Sequence, residues 1–157
     1  MVQHSVIVIF AVFLVSCASS GGGSENYIYA ISKGDKFVLK QDLAIAARDA
    51  HVLLQDGKIM KFANIDKYAP FCRFEVNTKG EQTIKPDTFT VTKVSQNQPE
   101  VTPGTFNYIV KFDLSAANNP NIHSLACGAW GSSTDGYVSF PQMQQALGNY
   151  FETPVPK

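Results

Sequence analysis

The sequence predicts a mainly β domain, an antiparallel sandwich or small barrel, with one helix near residues 140–147. Three observations predict it. Apolar and polar residues alternate over several short runs, most clearly from Phe106 to Leu114. Turn-forming pairs and polar stretches separate those runs. Only one late stretch, behind Ser139, changes to helical spacing and carries its own start and stop signals.

In chain order, Tyr27, Tyr29 and Ile31 alternate with Ile28 and Ala30, which places the start of the domain at residue 27. Phe37, Leu39, Leu43 and Ile45 share one parity, with Lys40 and Asp42 on the other. His51 to Gln55 reads as a strand, Asp56-Gly57 as a hairpin turn, and Lys58 to Phe62 as the return. Tyr68-Ala69-Pro70 breaks the pattern. Phe71 to Val76 then alternates, with Cys72, Phe74 and Val76 facing inward. Residues 78–81 form a turn, and Thr88 to Val94 is a β-branched strand. Gln96 to Gly104 is polar and is expected to be a loop. Phe106, Tyr108, Val110, Phe112 and Leu114 point one way, with Asn107, Lys111 and Asp113 opposite. Ile122 to Trp130 follows as another strand. Ser139 caps a helix and Gln142 closes a capping box. Met143, Ala146 and Leu147 form its apolar face, and Gly148 ends it. A short strand at Tyr150-Phe151 precedes a tail, residues 154–157.

The chain has 157 residues, with 13 basic and 13 acidic side chains, none of them in the first 16 positions. A neutral domain lacks the field that gathers nucleic acid, so no nucleic-acid partner is expected. There is no Lys/Arg run to change this locally.

The first 16 residues have their own character. Ser5 to Val15 is an apolar run of about ten residues, half the roughly 20 needed to span a bilayer, and it has the length of a signal-peptide core. It ends in Leu14-Val15-Ser16-Cys17, which resembles the lipobox of bacterial lipoproteins: an aliphatic residue, then a small residue, then the cysteine that is lipidated. The resemblance implies cleavage before Cys17, diacylglycerol on its thiol and an acyl chain on the new amino group. Two or three acyl chains hold a protein on a membrane far more firmly than one. Ala18 after the cysteine implies delivery to the outer membrane, since an Asp there retains enterobacterial members at the inner membrane. The segment before the apolar run, residues 1–4, carries no Lys or Arg. The alternative is an ordinary secretory signal cut near Ala18 to Ser20. Residues 18–26 are rich in Gly and Ser and read as a flexible tether of roughly 15–20 Å reach. This leaves one β-rich domain over residues 27–153.

With Cys17 set aside, Cys72 and Cys127 remain. Export places them where thiols oxidise, so a disulfide is expected. Two buried free thiols, or a reactive or metal-binding pair, are the alternatives. The chain holds none of the sequence motifs for a serine hydrolase elbow, a zinc protease or a phosphate-binding loop. His51 and His123 read as strand or surface histidines. Catalytic residues, cofactor and metal are therefore not expected. Tyr68 and Phe71 could line a groove, although packing over the disulfide is the simpler reading. Trp130 stands at a strand end, before a Ser-Ser-Thr-Asp-Gly loop, either as a core residue or as a rim anchor for a partner.

Gln55-Asp56-Gly57, Tyr68-x-Pro70-x-Cys72, Pro86-Asp87-x-Phe89-x-Val91 and Cys127-x-x-Trp130-Gly131 together resemble small gammaproteobacterial envelope lipoproteins, over roughly Phe37 to Phe151. That resemblance implies no activity. The expectation is a lipid-anchored envelope protein that acts by contact, as a structural or accessory module for an envelope partner. The rivals are a small-ligand or lipid-binding barrel and an inhibitor of an envelope hydrolase.

Overall fold

The computed structural model describes residues 28–155, the side chain of Tyr29 excepted. The expected signal segment, Cys17 and the tether therefore lie outside the described residues. No helix among those described is long and apolar enough to cross a membrane.

The fold is mainly β with a single helix, as the alternation predicts. The strands are β1 (Lys36–Leu39), β2 (Leu43–Ile45), β3 (His51–Gln55), β4 (Lys58–Met60), β5 (Phe71–Val76), β6 (Gln82–Ile84), β7 (Thr88–Asn97), β8 (Glu100–Thr102), β9 (Thr105–Ser115), β10 (Ile122–Gly131) and β11 (Phe151–Glu152). The helix, α1, is Phe140–Leu147. Nine strands form one antiparallel sheet in the order β11-β1-β7-β9-β10-β5-β3-β4, with β8 beside β9. The sheet curls into a half-barrel whose end strands do not pair with each other. β2 and β6 make a separate two-stranded sheet.

Inside the curl lies the core. Phe37 meets Phe112 at 5.3 Å between ring centroids, and Phe74 meets Phe89 at 5.4 Å and Phe151 at 5.6 Å. Helix α1 packs against β3 and β5 and buries Met143, Ala146 and Leu147. Its capping box is formed as expected: Ser139 Oγ accepts from the Gln142 N–H, and Gln142 Oε1 accepts from the Ser139 N–H. The Asp56-Gly57 hairpin is also formed. Both residues have positive φ, 50° and 68°, the backbone of a two-residue turn that matches strand twist.

Cys72 and Cys127 are bonded to each other. They stand directly opposite on β5 and β10, and both are buried on the core face. The disulfide thus staples two neighbouring strands from within.

The structure differs from the sequence reading at four places. The expected first strand is a 3-10 turn over Ile28–Ala30, and the buried pair is Ile28 and Ile31, one turn apart. The even-spaced run from Phe37 to Ile45 is split at residues 40–42, so its halves serve different sheets. β6 had no expected counterpart. The expected loop over Gln96 to Gly104 is the arm of a long hairpin. β7 runs on to Asn97, the Asn107 N–H donates to the Pro99 carbonyl at 2.9 Å, and β8 pairs with β9 up to the Pro103-Gly104 turn. Cross-strand pairing outweighs the polar composition of that stretch.

Candidate functional site: a groove on the outer face

The Phe106 face does not enclose a site. Tyr108, Val110, Phe112 and Leu114 are buried, and the last three belong to the common core. The opposite face of the same strands carries a groove of about 860 Å³, within the usual size range of ligand sites.

Strand register explains the groove. Side chains alternate across a sheet, so every second residue of β3, β5, β10 and β9 faces outward. On β10 these are Ser124, Ala126, Gly128 and Trp130. Ala126 lies between Arg73 on β5 and Lys111 on β9, and Gly128 lies between Phe71 and Ile109. Small residues in the middle strand make the floor; long residues on its neighbours make the walls. Gly128 is required by the backbone as well, because a Cβ there would collide with the Tyr108 carbonyl oxygen. Across from Lys111 and Ile109, the β7 arm brings Asn97 and Pro99 to the rim.

One end of the groove is aromatic. Residues 61–70 fold back over the outer face of β3, which is why Leu53 is buried as well as Val52 and Leu54. Gln55 fixes this segment through the Asp66 backbone, and the Trp130 N–H donates to the Lys67 carbonyl at 2.7 Å. Lys67 Nζ then lies 4.7 Å from the ring centroids of both Phe62 and Trp130. Tyr68 meets Trp130 edge-on at 6.0 Å. Among the described residues, the exposed large hydrophobics are Ile59, Phe62, Tyr68 and Val155; Phe62 and Tyr68 come from the stretch that makes this end, and Ile59 from the neighbouring β4. A second hollow beside β4 shares His51, Leu53, Phe62 and Arg73 with the groove.

The other end is polar. Ser124 Oγ donates to Glu75 Oε2 at 2.7 Å, and Arg73 Nε holds Glu75 Oε1 at 3.0 Å. Lys111 Nζ lies 3.5 Å from Asp113 and 3.3 Å from His123 Nε2. His51 stands across from Glu75. Burial, then the Arg73 guanidinium, holds the His51 imidazole below its ordinary pKa, while Asp49 and Glu75 pull the other way. His51, Glu75 and Ser124 therefore form one cross-strand row, but with the acid between the serine and the histidine. Nucleophilic activation needs the histidine against the serine, and Ser124 is fully buried. No group of three or more metal-ligating side chains occurs among the described residues.

Of the sequence candidates, Trp130, Tyr68 and Phe71 come together at the groove, whereas Cys72 and Cys127 face the core behind it. The expectation that Tyr68 and Phe71 pack over the disulfide is corrected. Phe71 precedes Cys72 on a strand and so faces the other side, and Tyr68 is 65% exposed against Trp130. Sequence reading missed Lys67, Arg73, Asn107 and Lys111. The available signal was the run of small outward residues Ser124, Ala126 and Gly128 in a strand whose inward residues are large.

No protein-family model matches the chain, nor does any curated protein or solved structure.

Proposed function

We propose that this chain is a lipid-anchored protein of the bacterial envelope, held at the outer membrane through Cys17, that works by contact: the groove ending at Trp130 receives a partner. The observation that carries the reading is the gathering of exposed apolar side chains. Phe62 lines the groove, Tyr68 stands against Trp130 at its end, and Ile59 lines the adjoining hollow with Phe62; all three are large and exposed, and apolar side chains exposed together on a protein surface mark an interaction site. The filled core supports the same choice over a ligand-enclosing barrel. In this reading the disulfide ties β5 to β10 behind the groove floor.

Crosslinking and recovery from envelopes, wild type against Trp130→Ala, tests the contact. A specific partner is expected with the wild type and is lost with the variant; recovery that is equal in both contradicts the reading. Incorporation of a palmitate analogue into the wild type but not into Cys17→Ser tests the anchor, and incorporation into both, or into neither, overturns it.

A further inference from the structure

Resting on the contact reading, we infer that the groove takes an extended, acidic segment of a protein partner, with a carboxylate between Arg73 and Lys111 and a large apolar side chain against Trp130. Charge is the first argument. The whole chain is balanced at 13 basic and 13 acidic side chains. The groove lining leans basic: Lys67, Arg73 and Lys111 line it against Glu75, with Asp113 beside it 3.5 Å from Lys111 Nζ. Glu75 is already engaged by Arg73 Nε and Ser124. The Arg73 side chain is about half exposed, at 47%, so its guanidinium is open to the groove. A guanidinium fork suits a carboxylate accepting two N–H bonds.

Geometry is the second argument. Outward residues of β10 repeat every second position, so successive rows of the groove lie roughly 6.6 Å apart. An extended peptide repeats its side chains at the same interval. Laid along β10 from Ser124 to Trp130, roughly 20 Å, it places one side chain at the Arg73–Ala126–Lys111 row. The next falls at the Phe71–Gly128–Ile109 row, and the third at Trp130. The order is acidic, then apolar, then large apolar, at alternate positions. The third argument is an acceptor. Asn107, across from Trp130 on β9, has its Oδ1 buried without a hydrogen-bond partner. Such an atom is costly while unpaired; Asn107 lines the groove, and a turn of its carboxamide would offer Oδ1 to the backbone N–H groups of an extended peptide.

Trp130 is the single tryptophan of the chain, so its emission reports occupancy. The full chain is titrated with a hexapeptide carrying Glu, Val and Phe at alternate positions, and with the same peptide bearing Gln or Lys in place of Glu. The Glu peptide is expected to shift Trp130 emission and to bind about tenfold tighter than the Gln peptide, with the Lys peptide weakest. Arg73→Gln with Lys111→Gln is expected to bring Glu and Gln peptides within about twofold. If that variant misfolds by circular dichroism, salt provides the test. Raising it from about 50 to about 500 mM weakens the Glu peptide and spares the Gln peptide, because screening acts on the charge pair. Equal binding of Glu and Gln peptides, preference for Lys, or no binding overturns the inference. So does a shift with vesicles containing phosphatidylglycerol where the peptides give none. Should the envelope crosslinks through the groove persist in that case, only the acidic class fails and the contact reading stands.

Discussion

Gln55 grips Asp66 by both edges of its carboxamide: Nε2 donates to the Asp66 carbonyl at 2.7 Å, and Oε1 accepts from the Asp66 N–H at 2.9 Å. A side chain thus does what a neighbouring strand would do, and it holds the segment that carries Phe62, Lys67 and Tyr68. Gln55 is almost fully buried, so the loss is not readily made good by solvent. Gln55→Leu is expected to destabilise the domain by about 1–3 kcal/mol, the range for leaving buried polar groups unmet. It should also shift Trp130 emission to the red as Lys67 and Tyr68 leave the ring. Urea unfolding read by far-UV dichroism and by emission checks both; an unchanged midpoint contradicts the clamp.

The disulfide makes a separate prediction. In a Cys17→Ser chain made in an oxidising compartment, unfolding without reductant should expose no thiol to alkylation, and unfolding with reductant should expose two. Reduction should cost about 2–5 kcal/mol of stability, as for a long loop opened in the unfolded state. The check is the urea midpoint with and without reductant.

His51 links the polar end of the groove to pH. Its folded pKa is lowered by burial and Arg73, so below the ordinary histidine value, about 6.5, the unfolded chain binds the extra proton more readily. Stability is therefore expected to be full above that value and to fall as pH drops from there through the lowered folded value. His51→Gln should flatten that slope. Denaturation midpoints across the acidic range, wild type against variant, provide the measurement.

The helix cap is the most local test. Ser139→Ala removes the acceptor for the Gln142 N–H and is expected to cost about 1 kcal/mol. Thermal melts check it; because α1 covers β3 and β5, the loss should appear in the global transition.

How far the fold was legible follows from where its information lies. The strand from Phe106 to Leu114, the Asp56-Gly57 turn and the Ser139 capping box are encoded by neighbours a few residues apart, and each formed as read. In the Phe37 to Ile45 run the shared parity holds, with Phe37, Leu39, Leu43 and Ile45 all buried, but parity says which face a residue takes and not which sheet it joins. The arm from Asn97 to Thr102 was missed because its strand character comes from pairing with β9, not from its own polar residues. The groove was legible only in part. Trp130, Tyr68 and Phe71 stood out as aromatics near breaks. Arg73, Lys111 and Asn107 are ordinary outward residues, and only the register of β5, β10 and β9 brings them around Ala126 and Gly128.

The most direct measurement is site-specific photocrosslinking in intact envelopes, with the photoreactive residue placed at Ile109 in the groove wall or at Gln144 on the exposed face of α1. The account predicts a discrete protein adduct from position 109 that disappears with Trp130→Ala, and none from position 144. Adducts of equal yield from both positions, or from position 144 alone, would contradict it.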